Sequence, residues 1–176
     1  MRIISGKFKG RSIHPPKNFK ARPTTDFARE GLFNILENNF DLEKVQVLDL
    51  FAGTGSISYE FASRGCPLVH LAENYRPHLN FIQKVIRQLG LEQLEAFYSD
   101  AFRIIRNCAT QYDIVFADPP YDMEGIENLP DMVFEYGIIA PKGWFILEHS
   151  RKLDFSDHPH FRKHRKYGNV NITFFE

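Results

Sequence analysis

The run Asp118-Pro119-Pro120-Tyr121 contains the groups needed to methylate an exocyclic amine of a nucleic-acid base. Two consecutive prolines fix the backbone after a predicted strand and present no N–H group that needs a partner. The Asp118 carboxylate and the Pro119 carbonyl can accept hydrogen bonds from both amine hydrogens, which directs the nitrogen lone pair toward a methyl donor and stabilises the developing positive charge. The Tyr121 ring can stack on an unstacked base. We therefore predict that Asp118, Pro119 and Tyr121 are catalytic.

A second group of residues has the composition of a cofactor-binding loop. Asp49 ends a predicted strand and is followed closely by Phe51, Gly53 and Gly55. Glycines let the backbone approach a ligand and turn into the next helix. A carboxylate at Asp49 would repel a pyrophosphate but would attract the ammonium group of S-adenosylmethionine. A dinucleotide fingerprint is incomplete because Ser58 stands where its third glycine, or an alanine, would fall, so a dehydrogenase is a distant alternative.

Acidic residues stand at four successive strand ends, namely Asp49, Glu73, Asp100 and Asp118. Glu73 follows Gly53 by 20 residues and could accept hydrogen bonds from both ribose hydroxyls of a cofactor. Asp100 could contact an adenine amino group, and the alternative is that it only caps a helix. The predicted cofactor-binding set is Asp49, Phe51, Gly53, Gly55, Glu73, Asn74, Asp100, Ala101 and Asp118.

This chemistry requires neither a metal nor a nucleophilic cysteine, and we expect none. The two cysteines, Cys66 and Cys108, do not have the spacing of metal ligands, and reduced thiols fit a cytoplasmic protein. The start of the chain does not read as a signal peptide, and no run of about 18 apolar residues would span a membrane. We expect a cytoplasmic protein without membrane association.

The elements that must position these residues alternate between strand and helix. We predict strands at Val45–Leu50, Leu68–Glu73, Leu94–Ser99, Tyr112–Ala117 and Trp144–Glu148. Helices are predicted from Ala28 onward and at Ile57–Arg64, Pro77–Leu89, Asp100–Cys108 and 126–139. The tail, Lys163–Phe175, predicts two strands around Tyr167-Gly168-Asn169. The alternation indicates an α/β fold with a mostly parallel sheet, helices on both faces and an antiparallel C-terminal hairpin, and ligands bind at the carboxyl ends of such strands.

Charge is distributed unevenly although the 22 basic and 22 acidic residues cancel. Residues 1–25 carry seven Lys or Arg and no acid, and a second basic cluster lies at 162–166. Short runs at Arg2–Ser5 and Arg11–His14 predict a β-hairpin. We therefore divide one structural domain into a basic N-terminal hairpin arm, 1–25, and a methyltransferase domain, 26–176. The predicted RNA-binding residues are Arg2, Lys7, Lys9, Arg11, Arg22, Thr25 and Arg29. For the last three, the alternative role is helix capping or surface charge.

Several of these runs resemble a known family. The segment 47–55, Val-Leu-Asp-Leu-Phe-Ala-Gly-Thr-Gly, is similar to the first cofactor motif of class I (Rossmann-like) S-adenosylmethionine-dependent methyltransferases, and 118–121 matches their (Asn/Asp)-Pro-Pro-(Tyr/Phe) motif. The N-terminal runs 2–11, 22–26 and 29–36 narrow the resemblance to the RsmD-type guanine-N2 methyltransferases of bacterial small-subunit (16S) ribosomal RNA. The resemblance covers Met1–Tyr121 and extends more loosely to the hairpin at Tyr167-Gly168.

The resemblance implies a seven-stranded sheet, an N-terminal hairpin that helps to hold RNA, and S-adenosylmethionine converted to S-adenosylhomocysteine. It also implies, as substrate, the N2 amine of a guanine in an assembled or partly assembled small subunit, and we expect a monomer. The chain departs from the family pattern at Gly31, usually alanine, and at Tyr75, usually acidic. Residues 122–166 match poorly.

Two other functions remain open. The same motif serves DNA adenine-N6 and cytosine-N4 methyltransferases, although 176 residues leave no obvious target-recognition domain. A non-catalytic, RNA-binding methyltransferase-like module is the second alternative, and the intact run Asp118–Tyr121 argues against it.

Overall fold

The computed structural model describes residues 1–16, 19 and 25–176. The α-helices in this part of the chain are α1 (Asp26–Glu37), α2 (Ser56–Ser63), α3 (Arg76–Leu89), α4 (Ala101–Asn107) and α5 (Leu129–Glu135), with short 3-10 helices at Leu42–Lys44 and Ile126–Asn128. The strands are β1 (Gln46–Asp49), β2 (Leu68–Glu73), β3 (Leu94–Tyr98), β4 (Tyr112–Ala117), β5 (Ile139–His149), β6 (Phe161–Tyr167) and β7 (Val170–Phe175).

The seven strands form one sheet in the order β3-β2-β1-β4-β5-β7-β6. Strands β1 to β5 are parallel, whereas β7 pairs antiparallel with both β5 and β6. This arrangement confirms the predicted Rossmann-like α/β fold. The order reverses between β1 and β4, and ligands of open α/β sheets bind at such a reversal, beyond the carboxyl ends of the strands. The ends of β1 and β4 carry Asp49 and Asp118.

One region differs from the predicted elements. The helix expected over 126–139 is a 3-10 turn followed by the shorter α5, and β5 begins at Ile139 rather than at Trp144. Gly137 adopts a positive φ and ends the helix. The pairing of β5 with β4 then shifts in register near Tyr112, and Lys142 has a φ of 66°. Strand β5 therefore continues through an irregularity at Pro141-Lys142-Gly143. This run resembles a turn in sequence, which is why the strand was predicted to begin only at Trp144.

The core lies on both faces of the sheet. One apolar cluster includes Phe33, Phe61 and Trp144, and the other includes Val133, Phe145 and Phe175. The alternation of inward residues along β5 and β7 supplies both clusters, as expected for strands covered on two sides. Within the described residues, none of the helices has the length and apolar character needed to cross a bilayer.

The N-terminal arm folds onto α2. Both oxygens of the buried Glu60 carboxylate accept backbone N–H bonds, from Ile4 and Ser5, each at 2.9 Å. Ser63 adds three contacts: its Oγ accepts from Phe8 N at 3.0 Å and donates to Ser5 O at 2.6 Å, and its carbonyl accepts from Lys7 N at 2.7 Å. The arm is thus fastened through its backbone, which leaves its basic side chains free to face outward.

The predicted hairpin strands at Arg2–Ser5 and Arg11–His14 reduce to one antiparallel bridge, between Arg2 and Ser12. Backbone hydrogen bonds nevertheless join the two runs, from Ile3 N to Arg11 O at 3.0 Å and from Ile13 N to Met1 O at 2.9 Å, so the predicted hairpin forms. Ile3 and Ile13 are buried in the same core cluster as α1 and α2. The arm therefore packs as part of the folded body.

Gly31 lies in the middle of α1, where glycine costs about 1 kcal/mol relative to alanine. A Cβ at this position would lie 2.2 Å from Cε1 of Tyr167, in β6. The Tyr167 ring also packs edge-to-face on Phe27, with ring centroids 5.7 Å apart. The departure from the family pattern at Gly31 therefore makes room for a contact between α1 and β6.

The docking of the arm predicts different costs for two glycines. Gly6 and Gly10 both have a positive φ, but a Cβ at Gly6 would lie 1.8 Å from Ser63 O, whereas a Cβ at Gly10 would meet nothing within 4 Å. Gly10→Ala should lower the free energy of unfolding by about 1 kcal/mol, from backbone strain alone. Gly6→Ala should cost roughly 3 kcal/mol or more, because the arm must move off α2. Urea denaturation checks both, and equal costs would contradict the proposed docking.

Candidate active site

Asp49 lies at the end of β1 and is buried, 1% exposed. Its Oδ2 accepts a hydrogen bond from Ser58 Oγ at 2.6 Å, and its Oδ1 accepts one from Phe51 N at 3.3 Å. Burial raises the pKa of Asp49 to about 6, against the opposing effect of these two bonds and with a further increase from the Glu73 carboxylate. Ser58, which breaks the dinucleotide fingerprint, thus orients this carboxylate. A cationic ligand group would favour its ionised form.

Glu73, at the end of β2, holds the glycine loop. Its Oε2 accepts from Gly53 N at 2.9 Å, its Oε1 accepts from Tyr75 N at 2.8 Å, and His78 Nδ1 lies 3.5 Å from Oε2. The loop backbone is also tied to β2 by a bond from Ala52 N to Ala72 O at 3.0 Å. The carboxyl ends of β1 and β2 are thereby joined around one crevice.

Gly55 turns the loop into α2 with a φ of 81°. A Cβ there would lie 2.5 Å from Cζ of Tyr59, whose ring fills the space below the loop. The buried Tyr59 hydroxyl has no hydrogen-bond partner among the described residues. Its pKa is raised, mainly by burial and also by the Asp49 carboxylate. Only glycine fits this turn, so the loop and the ring form one packed unit.

Asp118 immediately follows β4, and Tyr121 lies three residues further on. The pKa of Asp118 is raised well above its usual range by burial and by the neighbouring carboxylates of Glu148 and Asp49. The Tyr121 hydroxyl donates to Glu148 Oε1 at 3.2 Å, while half of the Tyr121 side chain is exposed. The run therefore presents a carboxylate, a fixed carbonyl at Pro119 and an accessible ring at the reversal of strand order.

The other predicted cofactor residues line the same edge of the sheet. Asp100 caps α4, since its Oδ1 accepts from Arg103 N at 2.9 Å, as the capping alternative predicted. Its neighbour Ala101 is buried, Asn74 is exposed beyond β2, and Phe51 is partly buried. The carboxyl ends of β1, β2, β3 and β4 thus bring the predicted cofactor set together, and its role in binding remains a prediction.

The seven predicted RNA-binding residues lie in different surroundings. Arg2, Lys7, Lys9 and Arg11 are exposed on the arm. The arm also contacts the glycine loop, because Thr54 Oγ1 lies 3.7 Å from Met1 Sδ. Thr25 caps α1 by accepting from Ala28 N at 3.2 Å. Arg22 lies outside the described residues.

Arg29 requires a correction. It was predicted to contact RNA, but its side chain is only 1% exposed. Its Nη2 donates to Arg2 O at 2.6 Å and to Asp26 Oδ1 at 2.7 Å, and its Nε lies 3.9 Å from Glu60 Oε2. Burial lowers its pKa, and Glu60 and Asp26 oppose that effect. Arg29 joins the arm to α1 rather than facing a ligand.

Sequence reasoning missed Glu148 and Glu60. Glu148 ends the fifth predicted strand, so the same pattern of acids at strand ends would have included it. Glu60 gave no such signal, because it lies inside a predicted helix and the backbone groups that it binds in the arm are 55 and 56 positions away. Of the residues that the structure describes, no three or more His, Cys, Asp or Glu group as they would around a metal ion.

Comparisons with known proteins agree with this geometry. The model of the family described as Conserved hypothetical protein 95 matches residues 1–176. The chain is 30% identical over 161 residues to the putative rRNA methyltransferase YlbH of Bacillus subtilis, covering 89% of this chain and 86% of that protein. It is 31% identical over 148 residues to ribosomal RNA small subunit methyltransferase D of Escherichia coli K12, covering 84% and 74%. The solved structure of the putative methyltransferase yhhF from Escherichia coli superposes with a TM-score of 0.87 at 27% identity, covering 99% and 96%.

The raised pKa of Asp49 predicts a pH-dependent stability. Because its pKa is about 6 in the native protein and ordinarily 3.8, the native state binds more protons between these values. Its contribution to the free energy of unfolding is complete below about pH 4 and is lost as the pH rises through about 6. The loss is on the order of 3 kcal/mol.

Asp49→Asn cannot titrate, so its free energy of unfolding should fall by about 3 kcal/mol less than that of the wild type between about pH 4 and pH 8. Urea denaturation at both pH values measures this difference. Asp122→Asn, at an exposed site, is the control and should behave as the wild type. An identical fall in Asp49→Asn and wild type would show that Asp49 does not titrate as described.

Proposed function

The chain belongs to the Conserved hypothetical protein 95 family and is a methyltransferase of RNA, and from this premise we propose that it methylates the exocyclic N2 amine of a guanine in small-subunit ribosomal RNA. Its relatives are named as ribosomal RNA methyltransferases, and the chain covers most of their length. The proposed substrate is an assembled or partly assembled small subunit, and the proposed compartment is the cytoplasm.

The residues at the sheet edge fit S-adenosylmethionine as the methyl donor. Asp49 is a buried carboxylate that suits the ammonium group, and Glu73 can accept bonds from ribose hydroxyls. The glycine loop allows close approach of the backbone, since Gly53 and Gly55 both have a positive φ. When bound, this cofactor supplies an electrophilic methyl group on a sulfonium sulfur.

The observation that carries the proposal is the placement of Asp118 and Pro119 beside the loop that follows β1. The nitrogen of an exocyclic amine is a poor nucleophile because its lone pair is delocalised into the base. The Asp118 carboxylate and the Pro119 carbonyl can each accept one amine hydrogen, which orients the lone pair away from both acceptors. As the new N–C bond forms, positive charge grows on nitrogen, and the Asp118 carboxylate stabilises it and takes the proton that the nitrogen releases.

Tyr121 would hold the base in place. Its ring is half exposed, and its hydroxyl is anchored on Glu148, so the ring is available for stacking in a fixed orientation. A base must leave its helical stack to reach such a site. The exposed cations of the arm would bind phosphates and position the RNA beside this ring.

Methyl transfer from labelled S-adenosylmethionine tests the proposal. Unmodified small ribosomal subunits and duplex DNA serve as parallel substrates, and the products are digested to nucleosides and identified. N2-methylguanosine from the subunits alone is the expected result. Methyladenine or methylcytosine from DNA would replace the proposed substrate, and cofactor binding without transfer to either would favour a binding module.

Charge reversal on the arm gives a second prediction. Lys7, Lys9 and Arg11 are exposed, so changing all three to Glu should weaken RNA binding and reduce the slope of log K against log salt by about 2–3. The measurement is a filter-binding titration with the subunits at several salt concentrations. Because the arm is fastened through its backbone, cofactor affinity should not change.

The control reverses three exposed cations on other elements, Lys84 and Arg87 of α3 and Arg106 of α4, so the net charge is identical. This variant should keep most of the affinity for RNA. Equal weakening by both variants would indicate an unspecific charge effect, and a parallel loss of cofactor affinity in the arm variant would assign the arm a structural role alone.

A further inference from the structure

Glu148 stands next to Asp118 at the carboxyl edge of the sheet. Strands β4 and β5 are parallel, and Ala117 is paired in register with Leu147. The next residue on each strand is therefore Asp118 and Glu148. The preceding pair on the same face, Phe116 and Ile146, packs into one core cluster, so the two carboxyl groups extend from the same side of neighbouring strands.

Glu148 also contacts the ring that would stack the base. The Tyr121 hydroxyl donates to Glu148 Oε1 at 3.2 Å, and the Glu148 side chain is 5% exposed. Consider a base that stacks on the Tyr121 ring and places its amine at Asp118. The ring nitrogen next to that amine on the Watson–Crick edge must then lie to one side of the Asp118 carboxylate. The neighbouring strand places Glu148 on one such side.

The chemistry of the bases distinguishes what such a carboxylate would accept. In guanine, the ring atom between the N2 amine and O6 is N1–H, a donor. In adenine and cytosine, the ring nitrogen beside the exocyclic amine on the Watson–Crick edge is an acceptor. An ionised carboxylate is an acceptor only, so it pairs with N1–H of guanine and opposes the lone pair of the other two bases.

We propose that Glu148 selects guanine by accepting a hydrogen bond from N1–H of the target base, while Asp118 and the Pro119 carbonyl hold the adjoining N2 amine. This inference rests on the proposed function, and it assigns to Glu148 the restriction of methylation to guanine. Glu148 is close enough to Asp118 that its carboxylate adds to the effect of burial in raising the pKa of Asp118. Two neighbouring N–H donors on guanine would offset that repulsion.

Replacing the target guanine by 2-aminopurine tests the assignment, because this base keeps the amine but has an unprotonated N1. Small subunits are reconstituted with rRNA carrying either base at the methylated position, and single-turnover rates are compared. The wild type should prefer guanine by about 100-fold or more, since its carboxylate faces an acceptor in the analogue. In Glu148→Gln the amide can donate to N1 of 2-aminopurine or accept from N1–H of guanine, so the preference should fall below about 10-fold.

Tyr121→Phe is the matched control, because it removes the hydroxyl on Glu148 and keeps the ring. The readout is not its overall rate but its preference for guanine over 2-aminopurine, which should stay within about threefold of the wild-type value. If Glu148→Gln prefers guanine over 2-aminopurine as strongly as the wild type, the role of Glu148 is overturned and the proposed function stands. A loss of this preference in Tyr121→Phe would have the same meaning. Failure of the wild type to form N2-methylguanosine on the guanine subunits would overturn the proposed function and this assignment with it.

Discussion

The site depends on carboxylates held close together at one edge of a parallel sheet. Asp49, Asp118 and Glu148 lie at the carboxyl ends of the adjoining strands β1, β4 and β5. Burial raises the pKa of Asp49 and of Asp118, and the Glu148 and Asp49 carboxylates raise that of Asp118 further. Such an arrangement is costly unless cations or N–H donors face it. A cofactor ammonium group and a base amine are groups of that kind, so the electrostatics at this edge of the sheet support the proposed ligands. The same carboxylates would also lower stability, which is common where function requires strained or charged groups.

The second constraint is the attachment of the N-terminal arm. Glu60 and Ser63 of α2 bond to the arm's backbone rather than to its side chains. Helix α2 begins at the glycine loop, so the helix that follows the proposed cofactor site is also the one that carries the arm. Arg29 completes this joint from α1. Cations on the arm are therefore held at a fixed distance from the carboxylate edge, as the binding of an RNA near a reacting base would require.

The sequence allowed the order of the elements, the fold class and the acidic edge to be predicted, because these follow from apolar runs and strand-end residues that are local in the chain. The arm was harder to predict. Its short runs at 2–5 and 11–14 predicted the hairpin, but not its docking, because Ile4 and Ser5 bond to Glu60 and Ser63, more than 50 residues away. Arg29 looked like a surface cation for the same reason, since its buried partners are distant in sequence. The glycine at position 31 could not be explained from sequence either, because the Tyr167 ring that packs against it is more than 100 residues away.

In the proposed reaction, the Asp118 carboxylate orients the base amine and accepts its proton as the methyl group is transferred. The most direct test is the single-turnover rate of Asp118→Ala on unmodified small subunits at saturating S-adenosylmethionine, with Asp122→Ala as the neighbouring exposed control. We expect Asp118→Ala to fold and to bind the cofactor but to lose about 100-fold or more in rate, and we expect a near wild-type rate for the control. An Asp118→Ala variant that transfers methyl groups at the wild-type rate would contradict this role of Asp118.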